Sequence, residues 1–140
     1  MSKESDLWLR LVHEIASVEA DLERIMQVRH GLGLSEYRAL QILSRSPGSE
    51  LRMQALAAHL RLNQSSVSRM VERLERAGLA IRDLCPDDKR GVYAVLSDRG
   101  RACVEDAERG YEAALREALK KHRCGGLLAA RQAELSNAET

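Results

Sequence analysis

Residues 64–73 read Gln-Ser-Ser-Val-Ser-Arg-Met-Val-Glu-Arg, and Leu74 follows. At helical spacing Val67, Met70, Val71 and Leu74 turn to one side. Gln64, Ser65, Ser68, Arg69 and Arg73 are left on the other. Their amides, hydroxyls and guanidinium groups suit one kind of chemistry. A glutamine amide pairs in two places with adenine, an arginine with guanine, and a serine hydroxyl with bases or phosphates. The start of a helix adds free backbone N–H donors that favour a phosphate. No Asp or Glu lies in this first turn to repel one. An ordinary amphipathic surface helix has a similar outline, so the neighbouring residues must decide.

A second charged group lies nearby. Pro86, Asp87, Asp88, Lys89 and Arg90 separate two alternating runs, LAIRDL and VYAVLS, which read as the strands of a hairpin. Lys89 and Arg90 at such a tip suit a minor groove or its phosphates, whose negative potential attracts arginine. Asp88 is placed to hold the Arg90 guanidinium by paired hydrogen bonds. An exposed pair of this kind is worth only about 0–1 kcal/mol, so its use is orientation.

The elements that must carry these groups follow from periodicity and breakers. Residues 6–29 form a long helix, with Leu11, Ile15, Val18, Leu22 and Ile25 at seam spacing, ended by Gly31 and Gly33. Ser35 caps a second helix over EYRALQILSR. SPGSE is a turn, and LRM is too short to assign. QALAAHL is a short helix, RLN interrupts it, and a further helix runs from an Asn63 cap to Gly78. Leu56, Leu60 and Ala57 face that helix, as a helix–turn–helix requires. After the hairpin, Asp98 to His122 is another long helix, with Val104, Ala107, Tyr111, Ala114 and Ala118 along one seam. Gly125-Gly126 breaks it, and the tail to Thr140 has only Leu127, Leu128 and Leu135 as large apolar residues. A helix–turn–helix followed by a two-stranded ribbon is a winged helix. The fold class expected is mainly α with a small β-hairpin, a winged helix–turn–helix plus a helical dimerisation lobe. Residues 1–33 are the N-terminal dimerisation helix, 34–97 the DNA-binding region, and 98–140 the C-terminal dimerisation helices, one domain overall.

Composition agrees with packed helices. Of 140 residues 44% are hydrophobic, there is no Phe, and the aromatics are Trp8, Tyr37, Tyr93 and Tyr111. The core must be aliphatic and alanine-rich. Net charge is +1, but it is unevenly spread: −2 over residues 1–51, +3 over 52–90 and zero over 91–140. No signal-peptide core or membrane-spanning run is present, so a cytoplasmic protein is expected. Cys85, Cys103 and Cys124 form no C-x-x-C pair and read as thiols, with Cys124 in the most basic surroundings. His13, His30, His59 and His122 are scattered, and none forms an H-x-x-x-H pair. No nucleophile elbow, phosphate loop or H-E-x-x-H occurs, so neither an enzyme nor a cofactor is expected.

With these elements in place the sequence resembles the MarR family of winged-helix transcription regulators over about residues 6–123. The most specific part is D-x-R-x-x-x-x-x-L-[ST]-x-x-G, met by Asp88, Arg90, Leu96, Ser97 and Gly100. QSSVSRMVERLERAGLAIR is similar to the family's recognition helix running into its first wing strand. The resemblance implies that Gln64, Ser65, Ser66, Ser68, Arg69 and Arg73 on the helix, and Asp88, Lys89 and Arg90 on the wing, contact double-stranded DNA. It implies a homodimer with its first and last helices intertwined, and the seam residues Leu11, Ile15, Val18, Leu22, Val104, Tyr111 and Ala118 are assigned to that interface. It also implies a repressor released by a small, often aromatic, effector, for which no pocket residue stands out. The family's peroxide-sensing branch has a cysteine early in the first helix, and none precedes Cys85 here. Two other functions compete. A winged helix used for protein docking would present apolar or acidic residues on helix 64–77. A non-specific architectural DNA binder would carry a larger positive charge.

Overall fold

The computed structural model describes residues 2–84 and 91–139. In chain order these form α1 (Lys3–His30), α2 (Leu34–Arg45), a short 3-10 turn (Pro47–Ser49), β1 (Glu50–Arg52), α3 (Met53–Leu60), α4 (Gln64–Arg76), β2 (Ala80–Leu84), β3 (Val92–Leu96), α5 (Asp98–Lys121) and α6 (Gly125–Ala138). The chain divides into two compact units. One is α1 with the chain from Gly110 onward, and the other is Gly31–Arg109.

The Gly31–Arg109 unit is a mainly helical winged helix with a small antiparallel sheet. Tyr37, Leu40 and Leu43 of α2, Leu56 of α3, Val67 and Val71 of α4, and Ala94 of β3 are fully buried together in its core. The expected hairpin is present, but the sheet has three strands in the order β1-β3-β2. The third is the unassigned apolar stretch: Glu50, Leu51 and Arg52 pair with Val95, Ala94 and Tyr93. Three residues carry no period of their own, so only their partner on β3 defines them as a strand. Ser35 does not cap α2. The cap position is Gly33, which has no side chain to offer, and Ser35 lies exposed in the first turn. Helix α4 closes at Ala77, and Gly78 follows with φ +76°, a left-handed conformation that glycine takes without steric cost.

The other unit buries Val18, Leu22 and Met26 of α1 with Ala114 and Ala118 of α5. Most of the two seams is buried within one chain, although not all of it. Leu22 and Ala118 are 1% and 3% exposed within one chain, and Val18, Val104, Ala107 and Ala114 are buried too. Leu11, Ile25 and Tyr111 are half-buried, and only Ile15 of the two seams is exposed. The Gly125-Gly126 pair does not break α5. The break falls at His122–Cys124, where Arg123 takes φ +61°, and both glycines sit in the first turn of α6. The corner is tied to α1 by His122 Nε2, 2.8 Å from Asp21 Oδ2. Among the described residues no helix is long and apolar enough to cross a membrane.

Candidate nucleic-acid interface

Helix α3 ends at Leu60, and Arg61 turns the chain with φ +58°. Asn63 then starts α4, its Oδ1 accepting a hydrogen bond from Ser66 N–H at 2.8 Å. That cap is worth about 1 kcal/mol and fixes where the helix begins. Val67, Met70, Val71 and Leu74 are at most 3% exposed, so the inner face is fully committed to the core. The rotation this sets leaves Gln64, Ser65, Arg69 and Arg73 exposed, with Ser66 and Ser68 half-buried. First-turn donors of α4 face no carboxylate of their own turn.

Ser68 is not a free surface hydroxyl. The Arg82 guanidinium on β2 donates from Nη2 to the Ser68 carbonyl oxygen and, at 3.1 Å, to its Oγ. The Arg82 main-chain N–H donates to Glu75 Oε2 at 2.9 Å. Glu75 thereby covers a donor on β2, an edge strand, while the side chain of Arg82 fastens that strand to α4. Sequence reasoning missed Arg82 because its contact lies fourteen positions away. It also missed Arg52 on β1, whose Nε donates to the Tyr93 hydroxyl at 3.1 Å and whose guanidinium lies 5.8 Å from that ring's centre. Arg52, Gln54, Gln64, Ser68, Arg82 and Val92 line an open cleft of 550 Å³ beside the start of α4. Guanidinium, amide and hydroxyl groups therefore converge there, and among the described residues lining it none is acidic.

Asp88, Lys89 and Arg90 lie outside the described residues. The rest of their motif has a structural part. Leu96 is in the core at 7% exposure. Ser97 Oγ accepts from Gly100 N–H at 3.0 Å and donates to the Gly78 carbonyl at 2.7 Å. A Cβ at Gly100 would lie 2.0 Å from the Leu79 carbonyl oxygen. Only glycine lets α5 start this close to the turn that leaves α4.

Other candidate chemistry is not assembled. His13 and His122 border one shallow groove on α1, but among the described residues no group of three His, Cys, Asp or Glu is placed to hold a metal ion. Burial pushes the Cys103 and Cys124 thiols up, with Asp106 and Glu14 adding to the effect. Cys124 is only 6% exposed, contrary to the accessible basic setting its neighbours suggested.

Comparison with known proteins matches residues 30–91 to a model of the MarR family. The chain is similar to YkoM of Bacillus subtilis, an uncharacterized HTH-type transcriptional regulator. The two are 36% identical over 77 residues, 54% of this chain and 48% of that protein. It is likewise 36% identical over 78 residues to the HTH-type transcriptional repressor Rv2887 of Mycobacterium tuberculosis, covering 56% of this chain and 55% of that one. The chain spans about half the length of the curated relatives it matches. In structure it is similar to Sco3205, a MarR family transcriptional regulator from Streptomyces coelicolor solved in complex with DNA. The TM-score is 0.85 at 28% identity, over 99% of this chain and 88% of that one.

Proposed function

We propose that this chain is a MarR-family, sequence-specific DNA-binding transcription regulator, a reading supported by the family model over residues 30–91 and by the likeness to Sco3205. In the fuller form of the reading it is a cytoplasmic, homodimeric repressor, with no catalytic activity, that occupies an inverted-repeat operator. The observation that carries this is the outer face of α4: a capped helix with Gln64, Ser65, Arg69 and Arg73 exposed around a fully buried apolar face. The first turns of that face carry no acidic residue, and Glu72 further along is paired with Arg76 at 2.6 Å, which favours DNA over protein docking, a role that would call for apolar or unpaired acidic residues there. Net charge of +1 favours placed contacts over non-specific architectural binding. Support for a second copy comes from apolar side chains left exposed. Leu7, Trp8, Val12 and Ile15 lie along α1, and Leu127, Leu128 and Leu135 along α6. Release by a small aromatic effector rests on the family likeness alone.

Selection from random duplexes, followed by footprinting, tests the reading. The expected product is an inverted repeat with half-site centres roughly one DNA turn, about 34 Å, apart. Enrichment of no sequence would refute specific binding. Repeating the measurement with a panel of phenols and aromatic acids tests release. Unchanged affinity and unchanged melting temperature across the panel would remove the effector from the proposal.

A further inference from the structure

A serine hydroxyl has one proton to donate and two lone pairs to accept with, so alone it reads amino groups and acceptors alike. Ser68 is not alone. A guanidinium can only donate, and Arg82 Nη2 does so to Ser68 Oγ at 3.1 Å and also to the Ser68 carbonyl oxygen. The hydroxyl therefore spends a lone pair on Arg82, and the residue is held at two points, its Oγ and its carbonyl oxygen. Among the described residues its proton has no acceptor. In particular, it does not turn back to the Gln64 carbonyl one helical turn earlier, where a helical serine commonly donates. Ser68 and Gln64 line the same open cleft. Accepting a charge-assisted bond polarises the hydroxyl, which strengthens it as a donor and weakens the remaining lone pair.

We propose that Arg82 is a positioning residue that sets the Ser68 hydroxyl as a hydrogen-bond donor toward the nucleic acid. Ser68 then selects an acceptor, either a purine N7, a base carbonyl or a phosphate oxygen, and disfavours an amino group. Arg82 acts through Ser68, since its own Nε is buried and has no partner among the described residues. This rests on the DNA-reading function proposed above.

The test uses the full chain and the selected operator carrying single-atom changes. Purines are replaced by 7-deaza analogues, guanine by 2-aminopurine, thymine by 5-methyl-2-pyrimidinone, and phosphates one at a time by methylphosphonates. Adenine and cytosine analogues lacking the amino group form the opposing set. One acceptor deletion is expected to weaken the native protein roughly three- to tenfold and to add nothing to Ser68→Ala. The arm in which it occurs names the base atom or the phosphate. The same deletion should cost Arg82→Leu less than the native protein, although Ser68 is intact. Arg82→Lys, which keeps the charge but not the planar fork, should also lose that coupling and serves if the leucine variant does not fold. An amino-group deletion that couples to Ser68, no coupling at all, or full coupling without Arg82 overturns the inference while leaving the operator intact. Failure of the native protein to select any operator overturns the function itself, and the inference with it.

Discussion

A methyl group added at Gly100 would sit 2.0 Å from the Leu79 carbonyl oxygen and 2.8 Å from a Leu96 methyl. The first of these is backbone and cannot swing aside. Gly100→Ala is therefore expected to lower stability by about 2–3 kcal/mol, at the upper end of overpacking costs. The check is a shift of the urea midpoint with an unchanged slope. Ser97→Ala loses both the cap to Gly100 N–H and the hydrogen bond to the Gly78 carbonyl, and should cost about 1–2 kcal/mol. The spacing of Leu96, Ser97 and Gly100 is visible in the sequence, but its reason is not, because Leu79 approaches from 21 positions earlier. The same holds at Ser68, whose partner Arg82 no pattern on α4 could reveal. Gln64 and Arg69 are different, since their exposure follows from the apolar period of their own helix. Gln64→Ala or Arg69→Ala should leave the melting temperature unchanged, cost roughly 1–3 kcal/mol on the operator, and relax preference at one base position. Uniform weakening on all sequences would instead make that side chain a phosphate contact.

Elements that carry their own signals were legible. Helix α4 has a capping asparagine, a buried stripe and a terminal glycine within sixteen residues, and its start and end are where those residues put them. Strand β1 was not legible, because it exists only through β3, and neither was the corner between α5 and α6. There two glycines imitate a break that actually falls at Arg123. What ties that corner to α1 is the Asp21 carboxylate. Asp21 on α1 accepts a hydrogen bond from His122, and this bond holds its carboxyl below the usual range; desolvation opposes it, and the nearby Lys121 and Arg24 charges add to the lowering. A carboxylate whose folded pKa is depressed stabilises the fold above its unfolded value, near 3.8, and loses that contribution as pH falls through the folded pKa. Thermal melts between pH 7 and pH 2 should therefore show an acid-side loss of stability that is shallower in Asp21→Asn. An identical acid limb in both proteins would mean that the pair contributes nothing at this corner.

At the scale of the whole molecule, the apolar residues of α1 have two destinations. Val18, Leu22 and Met26 are used inside the chain. Trp8, Val12 and Ile15 are 64%, 39% and 47% exposed, at steps of four and three along one face, and on α6 Leu127, Leu128 and Leu135 are each about half exposed. A large exposed patch of this kind is normally covered by a partner, and a second copy with two-fold symmetry covers it with the same patch. The proposed dimer and the proposed operator are then one claim. Two recognition helices related by a two-fold axis bind two half-sites, and the second contact is made at the effective concentration set by the first. Trp8→Glu combined with Leu128→Glu places carboxylates in the middle of the patch, where burial without a partner is costly. This variant is expected to scatter light as a 15.6 kDa chain, while the native protein scatters at twice that mass. Its α4 is untouched, so its affinity for an isolated half-site should equal that of the native protein. Its affinity for the full inverted repeat should fall by about a hundredfold or more, the usual gain from linking two sites. A native protein that stays monomeric at micromolar concentration contradicts the dimer. A monomeric variant that keeps full operator affinity would show that one winged helix reads the site alone.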